Sequence, residues 1–117
     1  MAQMLLNGEL VGSQSGKTMP VRNPANGEQV GEIPRGTAAD VDAAVTAAAK
    51  AFPGWAATPP SKRAKLMHEA AQKMREVLDE VATLLSKEQG KPFAHAKIEA
   101  TRVAENLEYF AGLADKI

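Results

Sequence analysis

The run Pro34-Arg35-Gly36-Thr37-Ala38-Ala39-Asp40-Val41 contains the point at which the sequence changes from strand-like to helix-like. Thr37 and Asp40 have the spacing of a capping box, in which a threonine hydroxyl accepts a hydrogen bond from the amide three residues on. The proline and glycine just before them are typical of a segment end. The run therefore predicts that a helix begins at Thr37 and that the chain divides near residue 36.

The segment before this division, residues 1–36, is rich in turn signals. It holds six of the nine glycines and three of the seven prolines. Asn7-Gly8 favours a type I′ hairpin turn, which needs positive φ at both positions, and Asn26-Gly27 predicts a second turn. Pro20 cannot donate a ladder hydrogen bond, so it predicts an edge strand or an irregular one. The expected strands are Met4–Leu6, Glu9–Val11, Thr18–Asn23 and Gln29–Ile33.

The segment after the division, residues 37–117, is rich in alanine and charge and has helical periodicity. Pro53-Gly54 is expected to end the first helix and to leave Trp55 in the linker. One face of this helix is apolar at spacings of four, seven and eleven residues. Its members are Val41, Val45, Ala48 and Phe52.

Two further helices are predicted after this linker. Thr58-Pro59-Pro60 has the pattern of an N-cap followed by proline in the first turn, where proline costs no hydrogen bond. The apolar spacing then continues without proline or glycine as far as Gln89. Asp79 is a residue type that caps helices, so we expect a break near Leu78–Asp79. Gly90, with a proline two residues later, predicts the end of the third helix.

The last predicted helix begins near Phe93 and runs nearly to Ile117. We expect part of its apolar stripe to be exposed, because few aromatic residues are present to bury several helix faces. The predicted fold class is α+β: a hairpin arm of short strands (residues 1–36) followed by about four helices (residues 37–117). The stripe comprises Phe93, Ala96, Ala100, Val103, Ala104, Leu107, Phe110 and Ala111.

The composition excludes several kinds of chemistry. The chain has no cysteine, and therefore no disulfide, thiolate zinc site or thiol nucleophile. Its 14 basic and 14 acidic residues balance, which argues against nucleic acid or an anionic membrane as partner. No apolar run approaches the roughly 20 residues that span a membrane, and the N-terminus lacks a secretory signal pattern. We expect a cytoplasmic protein.

The sequence contains no local catalytic motif. It has neither GxGxxG nor GxxxxGK followed by Ser or Thr, the patterns that cradle phosphates. His68 and His95 are not at metal-ligand spacing, and surface positions are the simpler interpretation. Gly90-Lys91 follows a helix, so its amides face the wrong way for phosphate. A C-cap glycine is the simpler interpretation there, and a role in a larger site is the alternative.

Several groups of residues, in one register along the chain, resemble the beginning of the aldehyde dehydrogenase superfamily. No single group is specific, but together they cover nearly the whole chain. They are Leu5-Leu6-Asn7-Gly8-Glu9-Leu10-Val11, Gly16-Lys17-Thr18, Asn23-Pro24-Ala25-Asn26-Gly27-Glu28, Ala51-Phe52-Pro53-Gly54-Trp55, Thr58-Pro59-Pro60-Ser61-Lys62-Arg63-Ala64, Glu88-Gln89-Gly90-Lys91-Pro92 and Leu107-Glu108-Tyr109-Phe110-Ala111-Gly112-Leu113-Ala114-Asp115-Lys116.

The resemblance implies an NAD(P)-dependent enzyme about four times as long, with several domains. In the family a cysteine thiolate attacks the aldehyde, hydride leaves to the nicotinamide, and water hydrolyses the thioester. These groups would lie downstream, so no residue here is assigned to catalysis or to NAD or NADP. This chain would be the N-terminal part of the α/β (Rossmann-type) cofactor domain and inactive alone. The full-length enzyme would act on a small-molecule aldehyde as a homodimer or homotetramer.

The resemblance also implies a structural site for Na⁺ or K⁺. Its ligands here would be the backbone carbonyls of Val21 and Arg22 and the carboxylate of Glu88, where family members often carry aspartate. A further ligand would come from beyond residue 117, so we expect little occupancy.

Two other hypotheses stay open. One is a free-standing helical interaction module without catalytic activity, and the other is an enzyme of different chemistry. An end at Asp115-Lys116-Ile117, directly after a helix, favours an N-terminal fragment over the module, and the absence of a converging acid/base constellation argues against the other enzyme. The run from Glu88 to Glu99 resembles succinate-semialdehyde dehydrogenases, but it does not identify the aldehyde.

Overall fold

The computed structural model describes residues 2–114 and 116, and this part of the chain forms four strands followed by four helices. This order confirms the predicted α+β class. The elements are β1 (Met4–Leu6), β2 (Glu9–Val11), β3 (Thr18–Arg22), β4 (Gln29–Pro34), α1 (Ala38–Ala56), α2 (Pro60–Glu76), α3 (Leu78–Gln89) and α4 (Phe93–Ala111).

The chain has two compact units. The first unit contains the residues up to Asn23 together with Gly27–Ala57, and the second contains Pro24–Asn26 together with the chain from Thr58 onward. The change from strand to helix falls between Pro34 and Ala38, as the capping box indicates. A domain boundary near residue 36 stays a prediction.

In the first unit, β1 and β2 form an antiparallel hairpin around Asn7-Gly8. Asn7 has φ 52° and Gly8 has φ 84°, which are the two positive values that the sequence signal requires. Leu5 pairs across the strands with Leu10, and both side chains are exposed. A two-stranded hairpin is marginal in water by itself, so further packing must stabilise it.

The second hairpin pairs β3 with β4. Pro20 stands opposite Glu32, and its strand β3 has only one neighbouring strand. This position suits proline, because proline has no backbone N–H to donate to a second neighbour. The register slips between Val21 and Arg22, where Val30 is skipped and the ladder is bulged. Val30 is partly buried, whereas Ile33 is exposed.

The first helix confirms the capping box and corrects its predicted end. The Thr37 hydroxyl accepts from the Asp40 amide at 3.2 Å, and the Asp40 carboxylate accepts from the Thr37 amide at 2.8 Å. The expectation that Pro53-Gly54 ends the helix is wrong, because α1 continues to Ala56 and includes Trp55. A proline removes only one helical hydrogen bond, and Ala57 donates to the Pro53 carbonyl at 3.1 Å to close the last turn.

The N-caps of the next two helices also differ from the expectation. Pro59, not Thr58, is the N-cap of α2, and its carbonyl accepts from the Lys62 and Arg63 amides. A residue before proline is driven to extended backbone, so tandem prolines shift the start by one residue. The predicted break falls at Val77, and Asp79 lies in the first turn of α3 rather than at its cap.

The fourth helix begins as predicted and ends early. Gly90 caps α3 in the left-handed conformation with φ 65°, which confirms its predicted role. The expectation that the last helix runs nearly to Ile117 is wrong, because α4 ends at Ala111 and Gly112 is its C-cap. Glycine is a poor helix former, so the helix stops there. Asp115 and Ile117 lie outside the described residues.

The core of the second unit is made of alanine. Ala82, Ala96 and Ala100 are at most 1% exposed. Methionine and leucine side chains pack around them while staying partly exposed, and in the described part of the chain no large side chain is fully buried. Alanine lets α3 and α4 approach closely, but it buries little apolar area per residue.

Candidate functional site

The three residues of the predicted cation site lie in different units. Val21 and Arg22 belong to β3 in the first unit, at the bulge that interrupts the β3–β4 ladder. Glu88 is exposed near the end of α3 in the second unit. In proteins, alkali cations are bound by carbonyl and carboxylate oxygens. The oxygen atoms of these three residues are thus suitable ligands for Na⁺ or K⁺, and the cation site stays a prediction.

The two histidines occupy exposed positions. His68 lies on α2 and His95 on α4. Across residues 2–114 and 116, no three His, Asp or Glu side chains converge in a way that could hold a metal ion. The exposure of both side chains agrees with the interpretation as surface histidines.

The most organised polar centre in the first unit is the carboxylate of Asp40. It is 7% exposed, and it is the only buried polar or charged side chain among the described residues. Oδ2 accepts from the Thr37 amide and hydroxyl and from the Ser13 hydroxyl at 2.8 to 2.9 Å. Oδ1 accepts from the Gln14 amide at 3.0 Å. These bonds fasten the loop after β2 to the start of α1.

Hydrogen bonds to the charged form lower the pKa of Asp40 to about 2 from an ordinary value of 3.8. The Gln14 amide contributes most, followed by the Thr37 amide, while burial opposes the shift. Four donors occupy this carboxylate, so its role is to anchor a loop. Sequence spacing revealed the contact with Thr37 but not those with Ser13 and Gln14, which lie 27 and 26 residues away.

In the second unit, the turn at Gly90 meets the segment Pro24–Asn26 at close range. A Cβ atom on Gly90 would stand 2.9 Å from the Ala25 nitrogen and 3.0 Å from Pro24 Cγ. The neighbouring turn is fixed by the Ser86 hydroxyl, which donates to the Lys91 carbonyl at 2.7 Å. Glycine is needed here both for its positive φ and for its lack of a side chain.

Ion pairs join the helices of the second unit. Arg75 of α2 pairs with Glu108 of α4, and Asp79 of α3 pairs with Lys97 of α4 at 2.7 Å. Lys91 also pairs with Glu99. The first two pairs connect neighbouring helices, and the third connects the turn before α4 to α4 itself.

Large apolar side chains are exposed in both units. On α4 the exposure of Phe93, Val103 and Phe110 confirms that part of the predicted stripe is exposed. Ile98 and Tyr109 are also exposed and lie outside that stripe. On α1 the exposed set is Val41, Val45, Phe52 and Trp55. None of the helices in the described part of the chain is long and apolar enough to cross a membrane. Surfaces of this kind mark places where a protein meets further protein.

The described residues thus form a framework whose polar groups hold loops and helices in place. The model of the aldehyde dehydrogenase family matches residues 10–117. The chain belongs to the aldehyde dehydrogenase family.

Particular relatives support the same assignment. A succinate-semialdehyde dehydrogenase (NADP⁺) of Escherichia coli, GabD, is 39% identical over 93% of this chain and 23% of its own length. A glutarate-semialdehyde dehydrogenase of Pseudomonas putida is 38% identical over 98% of this chain and 24% of its own. The crystal structure of an NAD-dependent aldehyde dehydrogenase from Sinorhizobium meliloti matches with a TM-score of 0.93 and 37% identity, over 99% of this chain and 24% of its own. The chain therefore spans about a quarter of the length of these relatives, and it has the fold of their N-terminal part.

Proposed function

We propose that this chain is the N-terminal segment of an NAD(P)-dependent aldehyde dehydrogenase that oxidises an aldehyde to a carboxylic acid. The observation that carries the proposal is a continuous match of nearly the whole chain to one quarter of such enzymes, in sequence and in fold. Relatives named for two different semialdehydes match at 38% and 39% identity. Identity over this segment therefore supports the reaction class and leaves the aldehyde undefined.

The role proposed for this segment is structural. The sequence has no cysteine, so a thiolate nucleophile would have to come from another part of the enzyme. A bound NAD or NADP would accept hydride, and no residue of this segment is assigned to hold it. The segment supplies strands and helices to the cofactor-binding domain, with a hairpin arm over residues 1–36 and a helical part over residues 37–117. The segment alone is proposed to be inactive.

The wider properties of the full-length enzyme are part of the same proposal. It would be cytoplasmic, with a small-molecule aldehyde as substrate and neither nucleic acid nor membrane as partner. The balanced charge of this segment supports that view. A homodimer or homotetramer is proposed from the family resemblance.

An exchange of segments tests the proposal. In the exchange enzyme, this chain replaces the matched N-terminal quarter of the Pseudomonas putida glutarate-semialdehyde dehydrogenase. We expect the exchange enzyme to reduce nicotinamide cofactor in the presence of glutarate semialdehyde. The parent without its N-terminal quarter, and this chain alone, should both be inactive. A folded but inactive exchange enzyme, with a stable monomer formed by this chain alone, would favour the free-standing interaction module.

The cation site is proposed separately, from the carbonyls of Val21 and Arg22 and the carboxylate of Glu88. Thermal unfolding of the exchange enzyme in Na⁺, K⁺ or choline chloride at equal ionic strength tests it. We expect a higher melting temperature in Na⁺ or K⁺ than in choline, because ion binding to the folded state stabilises it. Glu88→Gln should remove the difference, and Glu80→Gln on the same helix should keep it. Equal melting temperatures in all three salts would exclude the site.

A further inference from the structure

Two of the four asparagines of the chain, Asn7 and Asn26, are followed by glycine. An asparagine before glycine is especially prone to deamidation, because glycine has no side chain to keep its own backbone nitrogen away from the asparagine side chain. Asn23 precedes a proline, which has no N–H. Asn106 lies inside α4, where the amide of the next residue donates within the helix. The chemistry therefore leaves the two Asn-Gly pairs as candidate sites.

Deamidation of an Asn-Gly pair needs no enzyme, metal or oxidant. At the first pair, the Gly8 backbone nitrogen would give its proton to a solvent base and attack Asn7 Cγ. The bond from Cγ to Nδ2 breaks, and ammonia leaves. Water then opens the cyclic succinimide, at Cγ to give aspartate or at the Asn7 backbone carbonyl carbon to give isoaspartate. The net change is the loss of ammonia and the gain of water.

At the second Asn-Gly pair, the attacking nitrogen is already bound. The Gly27 amide donates to the Asn23 carbonyl at 2.8 Å, and the Asn23 amide donates to the Glu28 carbonyl at 2.8 Å. Ala25 in the same turn lies close to Gly90. The Gly27 nitrogen must leave its hydrogen bond before it can attack, so the folded turn protects its asparagine.

At the first Asn-Gly pair, the attacking nitrogen is unbound. Among the hydrogen bonds of residues 2–114 and 116, none is donated by the Gly8 amide. Asn7 is exposed and has φ 52°, a left-handed value that is unfavourable for a residue with a side chain. In this conformation the Gly8 nitrogen points away from the asparagine side chain, so the turn must open before the ring can form. Opening is easy, because this hairpin has three residue pairs and its cross-strand leucines are exposed.

We propose that Asn7 is the site of spontaneous deamidation in this protein and that transient opening of the first hairpin controls its rate. This inference does not rest on the proposed function. The product places a carboxylate in the cleft that Asn7 lines together with Asp42 and Lys50. Isoaspartate also lengthens the backbone of a two-residue turn, and the length of that turn fixes the pairing of Leu5 with Leu10. The isoaspartate product should therefore have a weakened hairpin.

Peptide mapping of the 117-residue chain tests the site. Trypsin separates the two pairs, because it cleaves after Lys17, Arg22 and Arg35. In mildly alkaline buffer, the peptide that ends at Lys17 should exchange ammonia for water at least roughly fivefold faster than the peptide over residues 23–35, since one hydrogen bond changes a rate by about that factor. In urea the two peptides should convert at equal rates, and Asn7→Ser should abolish the faster conversion. Equal rates in the folded chain, or faster conversion of the second peptide, would overturn the assignment.

A cross-strand disulfide tests the control by hairpin opening. The chain has no cysteine, so the double variant Leu5→Cys, Leu10→Cys has one possible pairing. The two positions stand directly opposite each other, in the pair next to the one that closes the turn, where side chains are closest. The oxidised variant should deamidate at Asn7 at least roughly tenfold more slowly than the same variant after reduction, while the rate at Asn26 is unchanged. Equal rates at Asn7 in the oxidised and reduced forms would overturn the inference.

Discussion

Arg75 on α2 and Glu108 on α4 form a two-point ion pair. Arg75 Nε donates to Glu108 Oε1 at 3.1 Å, and the second guanidinium nitrogen donates to Oε2 at 2.8 Å. The hydrogen bond raises the pKa of Arg75 and lowers the pKa of Glu108 from their ordinary values. Parallel N–H···O bonds of this kind fix the relative orientation of two groups. The pair therefore adds an oriented polar contact between α2 and α4.

Arg75→Lys should lower the melting temperature slightly, because an ammonium group cannot make both bonds. Both side chains are nearly half exposed, so the effect should be small and should shrink at high salt. Thermal unfolding at low and high salt measures it. Lys65→Arg serves as the control, because Lys65 forms an exposed ion pair with Glu69 at 3.9 Å. This change should leave the melting temperature unaltered. If the melting temperature of Arg75→Lys falls by the same amount at low and high salt, an ionic origin of the effect is contradicted.

Asp40→Asn should destabilise the first unit in a pH-dependent manner. Because the pKa of Asp40 is about 2 in the folded chain and 3.8 ordinarily, the ionised form is favoured by folding. Its contribution is fully present above pH 3.8 and is lost as the pH falls toward about 2. The gap in unfolding midpoint between the wild type and Asp40→Asn should therefore close across this range. Asp42→Asn, an exposed carboxylate on the same helix, should show no gap at any pH.

Gly90→Ala should destabilise the second unit by about 2 kcal/mol or more, from the left-handed backbone and the contact with Ala25. Gly54→Ala is the matched control, because Gly54 lies in α1 with open space around its missing Cβ. That change should stabilise the chain by a few tenths up to about 1 kcal/mol. Chemical denaturation of the two variants measures both. Equal midpoints would show that neither backbone conformation nor contact matters at Gly90.

Ala100→Leu should disrupt the contact between α3 and α4. Ala100 is 1% exposed beside Ala82 and Ala96, so three added carbon atoms have no space. Overpacking of this kind costs about 1–3 kcal/mol or more. Ala94→Leu, an exposed position on the same helix, should be nearly neutral. Chemical denaturation compares the two, and similar midpoints would show that the alanine core tolerates larger side chains.

Local signals predicted much of the fold. The positive φ values at Asn7-Gly8, the capping box at Thr37 and the left-handed cap at Gly90 each depend on a few neighbouring residues. The same local reasoning placed the end of α1 wrongly at Pro53-Gly54, because a proline near the last turn costs too little to stop the helix. The N-cap of α2 is Pro59, one residue after the predicted N-cap Thr58.

Contacts between distant residues could not be predicted. Nothing near Asp40 in the sequence indicates that its carboxylate also accepts hydrogen bonds from the Ser13 hydroxyl and the Gln14 amide. Helical spacing identified the apolar positions Val41 and Val45, but periodicity alone cannot say whether such a face meets its own unit or another part of a protein. The family resemblance, carried by the whole run of motifs, identified the class that the comparisons then confirmed.

The rate at which the exchange enzyme oxidises glutarate semialdehyde tests the central claim most directly. If this chain is the N-terminal segment of an aldehyde dehydrogenase, the rate should be at least roughly one hundredth of the parent's, since a displacement of about 1 Å near the reacting groups costs about 10²-fold. The parent lacking its N-terminal quarter sets the background. An exchange enzyme that is folded and soluble, yet no faster than this background, would contradict the claim.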